Sequence, residues 1–290
     1  MRHLLVILLL LLSVKSFSQL PEILTGTVRG DDTPLFLVNI YSDVENNGTY
    51  SDEKGNFIIN IDTNATMIIF SYISYHNDTI FLTDTILKKS IIIKLRKNSY
   101  FLEEVVVSGN NNYKEQGYYK KLGGIDKKEN NTFGVNKGNI IAYYFHNKQE
   151  AIGTLDYVRF RFSKIKNNPK IRINIYEPMF KGNGEISPGN MIFQSELITL
   201  KNRDKIFRYD FLDNVFIYKK GIFVAIELVD GGEYTSNDYN LNYPRFMLTD
   251  EVSERLTFKS FMGADWYRFS INSRENQNPY NIKIELKVNY

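Results

Sequence analysis

The sequence predicts an all-β chain of two β-sandwiches in series, a small one followed by a larger, jelly-roll-like one. Three observations carry this. The 290 residues hold 20 Tyr and 20 Phe against one Trp, and flat rings pack well on a pleated surface. Short apolar runs recur with a period of two, punctuated by glycine and proline. No stretch keeps a helical period long enough to compete. The length suits two domains, each able to bury its own core.

Residues 1–18 read as a signal peptide, with Arg2, an apolar run from Leu4 to Leu12, and Ser16 and Ser18 before a cleavage point. That run falls short of the ~20 residues a spanning helix needs. No later segment reaches that length, so no transmembrane helix is expected after cleavage. Removing Arg2 and Lys15 takes the formal charge from +3 to +1. A near-neutral chain gives no electrostatic case for nucleic acid or an anionic membrane. The absence of cysteine excludes disulfide, thiolate and Cys–zinc chemistry, and with them the lipidated cysteine of a bacterial lipoprotein.

From Leu24 onward, short strands alternate with turns. Phe36, Val38 and Ile40 share one face, as do Phe57, Ile59 and Ile61, and Ile91, Ile93 and Leu95. Ile68 to Tyr72 and Thr79 to Leu82 supply further β-branched and aromatic runs. About seven strands in some eighty residues describe a small sandwich over residues 24–97. In the Ser51-Asp52-Glu53-Lys54-Gly55-Asn56-Phe57 turn, Gly55 accepts a positive φ, Asp52 bonds the backbone two residues on, and Phe57 drops into the core. A calcium loop is disfavoured there, because the spacing is not that of a dedicated oxygen-ligand site.

These features occur in a fixed order: Gly26 and Val28, then Pro34-Leu35 into Val38-Asn39-Ile40, then Gly48-Thr49-Tyr50-Ser51-Asp52 into Gly55-Asn56-Phe57. Ile69 to Tyr75, Ile92 to Leu95 and Leu102-Glu103-Glu104-Val105-Val106-Val107 complete the series. In that order they resemble the carboxypeptidase D regulatory-like domain, a transthyretin-like sandwich common in exported proteins of Gram-negative bacteria. The likeness covers residues 24 to about 109. It departs at Ser74, where the family usually has glycine. In the enzymes that gave the family its name, catalysis belongs to a separate zinc peptidase domain, so the resemblance implies an accessory module. No His-Glu-x-x-His pattern accompanies it, and His76 and His146 sit in no motif. No catalytic residue, cofactor or metal is therefore assigned. A similar Glu-Val-Val-Val exit leads to the plug of TonB-dependent outer-membrane transporters, whose barrels need about twenty-two strands. For a chain of this length, the resemblance implies compartment and architecture without transport.

Residues 98–137 read as a linker containing the Glu-Val-Val-Val strand, because asparagine, lysine and glycine pairs alternate there without a period. The second sandwich is expected over 138–290. Its strands are marked by Val158, Phe160 and Phe162; by Ile171, Ile173 and Ile175; by Ile222, Val224, Ile226 and Leu228; and by Ile282, Ile284, Leu286 and Val288. Roughly eight to ten strands are expected.

The most site-like feature is the loop Asp230-Gly231-Gly232-Glu233-Tyr234 with Asn237, Asp238 and Tyr239, which Tyr243, Trp266 and Tyr267 would extend. Acidic oxygens beside aromatic rings suit calcium or a sugar, whose faces stack on Tyr and Trp while hydroxyls bond Asp and Asn. The alternative is a polar hairpin whose aromatics cap the sandwich edge. The candidate ligand residues are thus Asp230, Glu233, Tyr234, Asp238, Trp266 and Tyr267. Paired acids such as Asp31-Asp32 and Glu103-Glu104 are poor acid–base partners, since neighbours on a strand face opposite ways. The expected protein is a non-catalytic exported envelope module, periplasmic or outer-membrane associated. Its partner is an envelope protein or a glycan; the alternative function is carbohydrate binding by the second sandwich.

Overall fold

The computed structural model describes residues 22–87, 89–98, 119–125, 131–182, 184–202, 204–230, 244–271 and 278–290. The signal segment, the Glu-Val-Val-Val exit and the expected loop beyond Asp230, residues 231–243, lie outside these residues. The chain divides into two compact units, one built on residues up to Lys97 apart from Ile73–Tyr75, the other on the remainder. Both are built, among the described residues, of strands save one helical turn. Among the described residues no helix is long and apolar enough to cross a membrane.

The first unit contains β1 (Glu22–Gly30), β2 (Thr33–Pro34), β3 (Asn39–Ser42), β4 (Gly48–Tyr50), β5 (Asn56–Ile61), β6 (Met67–Ser71), β7 (Asp78–Phe81), the turn α1 (Asp84–Leu87) and β8 (Ile91–Leu95). β1 lies between β5, which is antiparallel, and β8, which is parallel, with β2 continuing beside it. The other sheet runs β4-β3-β6-β7. β5 alternates as its sequence predicts, with Phe57, Ile59 and Ile61 buried and the residues between them exposed. Phe57 meets Phe70 of the other sheet edge-on, ring centres 5.5 Å apart.

One alternation fails. Phe36 is exposed and Leu35 is buried in its place, because Leu37 takes a left-handed φ of 57° and turns the chain just before β3. The buried Ser51 seals this turn. Its Oγ accepts the Val38 N–H at 2.9 Å and donates to the Leu35 carbonyl at 2.6 Å.

The second unit contains β9 (Tyr119–Gly124), β10 (Thr132–Gly134), β11 (Asn139–Phe145), β12 (Gly153–Lys164), β13 (Lys170–Phe180), β14 (Ile186–Gln194), β15 (Ile198–Thr199) and β16 (Ile206–Asp210). It continues with β17 (Phe216–Ile217), β18 (Ile222–Asp230), β19 (Arg245–Thr249), β20 (Thr257–Phe261), β21 (Tyr267–Arg268), β22 (Asn281–Ile282) and β23 (Ile284–Asn289). The front sheet has eight strands, with the path β10-β19-β12-β23-β9 and β16, β17 and β22 alongside. The back sheet has seven, β14-β13-β18-β11-β20-β21 with β15 on β13. β12 and β19 belong to the front sheet while β11, β13, β18 and β20 belong to the back, and the inner faces of both share one core that includes Phe160, Phe162, Ile173, Val224, Phe246 and Leu286.

The strand number exceeds the expected eight to ten for two reasons. Several strands are only two residues long. In addition, β9 and β10 arise within the stretch expected as a linker. β9 pairs with β23 over its whole length, and β10 pairs with β19. An edge strand needs backbone pairing and one inward residue, and Leu122 and Phe133 supply the inward contacts. The lysines that hid the period stay in solvent. At Lys283 the chain changes partners, with Ile282 on β19 and Ile284 on β12.

Candidate functional site

Of the sequence-predicted ligand residues, the structure describes Asp230, Trp266 and Tyr267. Asp230 ends β18 and is exposed, in register with Lys170 of β13. Glu233, Tyr234 and Asp238 lie outside the described residues. Trp266 immediately precedes β21 and Tyr267 opens it, and their side chains leave in different directions. Trp266 packs against a cluster on the outer side of the back sheet, made of Ile140, Ala142, Tyr144, Tyr176, Phe223, Ala225 and Phe258. Arg268 turns to the same cluster, its guanidinium 5.5 Å from the Phe258 ring centre. Strand alternation points Tyr267, which stands between them, the other way, and it is 64% exposed.

The back sheet is therefore buried on both faces. Ala142 and Ala225 are direct cross-strand partners at its centre, and two such small side chains leave height for larger rings. Tyr176 and Trp266 meet edge to face in this cluster with centres 5.2 Å apart. Beside them lies a closed polar ring. The Glu227 carboxylate accepts from Arg172 Nη2 at 2.8 Å and from Asn174 Nδ2 at 2.9 Å. Gln194 Nε2 donates to Asn174 Oδ1 at 3.2 Å, and Arg172 Nη1 donates to Gln194 Oε1 at 3.1 Å. Arg172, Asn174 and Glu227 are all buried. Burial, and then the Glu227 charge, push the Tyr176 hydroxyl far above the ordinary tyrosine range. The ring is a one-carboxylate network with its acceptors engaged, so it is built to hold β13, β14 and β18 in register.

Sequence reading missed these residues because Arg172 and Asn174 alternate with Ile171, Ile173 and Ile175, which reads as an ordinary solvent face. A signal was present in β18, where Ile222 to Val229 is apolar apart from Glu227. Such a run marks a strand covered on both faces, and a lone acid within it must be paired.

Elsewhere the chemistry-bearing residues are spread out. The His146 ring stacks on Tyr144 with centres 6.2 Å apart. Asp31 and Asp32 form exposed ion pairs with Lys97 and Lys94. Among the described residues no group of three or more His, Cys, Asp or Glu is placed to hold a metal ion.

In the first sandwich the Asp52 carboxylate is held by its own turn. Oδ1 accepts the backbone N–H of Lys54 at 2.9 Å and of Asn56 at 2.8 Å, while Gly55 has φ 76°. Turn, Ser51 seal and flanking strands occur in the expected order. Residues 24–107 match the CarboxypepD_reg-like domain. This regulatory-like domain is a non-catalytic module. The chain is also 28% identical over 106 residues to a TonB-dependent receptor of Formosa agariphila. That match takes up 36% of this chain and 10% of the receptor, so the chain spans about a tenth of that relative.

Within the regulatory-like domain, Ser74 has φ 63°, a left-handed conformation that glycine adopts without steric penalty. Ser74→Gly is expected to raise the stability of this domain by ~1 kcal/mol, read as a higher midpoint in thermal unfolding. Asp43 gives the domain a pH dependence. Burial alone would raise its carboxyl, but hydrogen bonds from Thr66 Oγ1 and the N–H groups of Thr66 and Met67 outweigh it and hold it below the ordinary 3.8. A folded-state value below the unfolded one contributes stability at pH above the unfolded value, lost as pH falls through the folded one. Asp43→Asn is expected to flatten the stability profile below 3.8, measured by urea unfolding across acid pH.

Proposed function

We propose that this is a non-catalytic exported protein of the bacterial envelope, acting as an interaction or scaffold module near the outer membrane. The observation that carries the reading is the regulatory-like domain over residues 24–107, and the partial likeness of the chain to a TonB-dependent receptor supports it. The Arg2 and Leu4 to Leu12 pattern supports export, and a chain without cysteine supports a periplasmic or outer-membrane-associated protein that is not lipid-anchored. Affinity capture with the tagged full chain from native envelopes tests it. A defined envelope protein, enriched reproducibly, is the supporting result. Recovery of the chain in the cytoplasmic fraction overturns it.

A second reading is carbohydrate binding by the second sandwich, through Asp230, Glu233, Tyr234, Asp238, Trp266 and Tyr267. It is favoured by the exposure of Asp230 and Tyr267 at strand ends of one sheet. Retention on a broad panel of immobilised neutral glycans that is lost in Asp230→Ala/Tyr267→Ala supports it. Absence of retention across the panel removes it.

A further inference from the structure

The outer face of the front sheet carries like charges placed directly opposite one another on neighbouring strands. Lys121 faces Lys287, Arg159 faces Arg208 and Lys164 faces Arg245 in the strand registers. Like charges opposite each other destabilise a sheet; acids pair with Arg159, Arg208 and Lys287, but none among the described residues is ion-paired with Lys164 or Arg245, and there the conflict stands. Such local conflicts concentrate at functional surfaces.

We infer that this face is a binding surface for an acidic polysaccharide, with cations of β12 and its neighbours gripping carboxylate or sulfate groups along the strand. Arg159, Arg161 and Lys164 follow one another along β12 with Lys166 just beyond its end, and Arg208, Arg245, Lys287 and Lys121 flank them. At one end the cations are balanced. Glu285 binds Arg159 at 2.6 Å, Asp156 binds Lys287 at 2.7 Å, and Asp210 pairs with Arg208. Toward the other end, no acid among the described residues is ion-paired with Arg161, Lys164, Lys166 or Arg245. Two of these are tied by neutral bonds, Arg161 to the Ile125 carbonyl at 2.9 Å and Arg245 to Thr132 Oγ1 at 3.0 Å, which orient them. The charge of Lys166, then burial, hold the Lys164 ammonium below the ordinary lysine range, with Arg245 adding to the effect. This is the sign of a positive field that no acid among the described residues offsets by an ion pair. The near-neutral total charge conceals this separation.

The character of the face selects the ligand class. Single-stranded nucleic acid needs aromatic faces on which bases stack, and Tyr157, the ring on this surface among the described side chains, already has Arg208 4.0 Å from its centre and is buried. A lipid surface needs apolar side chains to insert, and Ile206 is the one exposed large apolar residue on β16. A flexible polyanion needs only spaced cations. The inference shares the ligand class of the glycan reading but uses a different face from the Asp230 and Tyr267 strand ends.

The test is retention of the full chain on polygalacturonate, dextran sulfate and neutral dextran, against duplex DNA and phosphatidylglycerol vesicles, with Lys121→Gln/Lys164→Gln/Lys166→Gln as the variant. The expected result is retention on the two acidic polymers that weakens with salt and falls by about tenfold or more in the variant. The melting temperature of the variant should be unchanged or higher, since like-charge repulsion is relieved; a purely structural role would lower it. Equal retention of variant and native chain overturns the inference, as does binding of DNA or vesicles as tightly as the acidic polymers. Neutral glycans retained while acidic ones are not would leave the Asp230 and Tyr267 reading standing and overturn this one. No retention on any glycan overturns both.

Discussion

Glu227→Ala is expected to destabilise the second sandwich by about 3–5 kcal/mol, because it removes one partner of a buried ion pair and leaves Arg172 without its counter-charge. The Arg172 and Glu227 side chains are 4% and 0% exposed, so water cannot replace the lost carboxylate. Asn174 loses its acceptor at the same moment, and its bond to Gln194 then has no anchor on β18. The loss should appear as a lower midpoint in chemical unfolding of the second unit. Arg172→Met/Glu227→Leu discriminates the cause, since replacing a buried pair by apolar groups of similar size is often neutral. Recovery of most of the stability in the double variant identifies the unpaired charge as the damage. A double variant as unstable as the single one would mean that the network itself supplies the stability.

Gly26→Val is expected to cost the regulatory-like domain about 3 kcal/mol, the upper range for forcing extra atoms into a packed site. Gly26 lies opposite Phe57 of β5 and Ile91 of β8. A Cβ there would come within 2.3 Å of the Ile91 carbonyl oxygen and 2.8 Å of the Phe57 ring. The first contact is with backbone that is itself part of the β1–β8 ladder, so it cannot give way without breaking strand pairing. The Phe57 ring could move only by losing its edge-on contact with Phe70. Thermal unfolding followed through the aromatic signal reads the effect. Gly26→Ala should reproduce most of the loss, because the clash begins at Cβ.

Much of the fold was legible in the residues. The period-two runs at Phe57 to Ile61 and Val158 to Phe162 face inward as read, because alternation is a property of the extended backbone and one buried face selects its apolar half. The Asp52 turn was legible for a similar reason, since its bonds span two to four residues. Phe36 was not, because a left-handed residue after it reset the alternation. β9 was hidden because an edge strand needs little apolar signal. Of the candidate ligand residues, sequence placed Trp266 and Tyr267 together, and the pleat sent them to opposite sides.

The sequence by itself determined the all-β class, the regulatory-like domain and the residues of both inner faces, all of which follow from short-range geometry repeated along the chain. Only the tertiary structure decided what the outer faces do. It covered one face of the back sheet, turning Glu227 from an apparent surface acid into a buried partner. It also lined up cations from β9, β12, β16, β19 and β23 that lie far apart in the chain. The physical reason is register. Which charges stand opposite each other depends on strand pairing over long separations, and no local pattern encodes that.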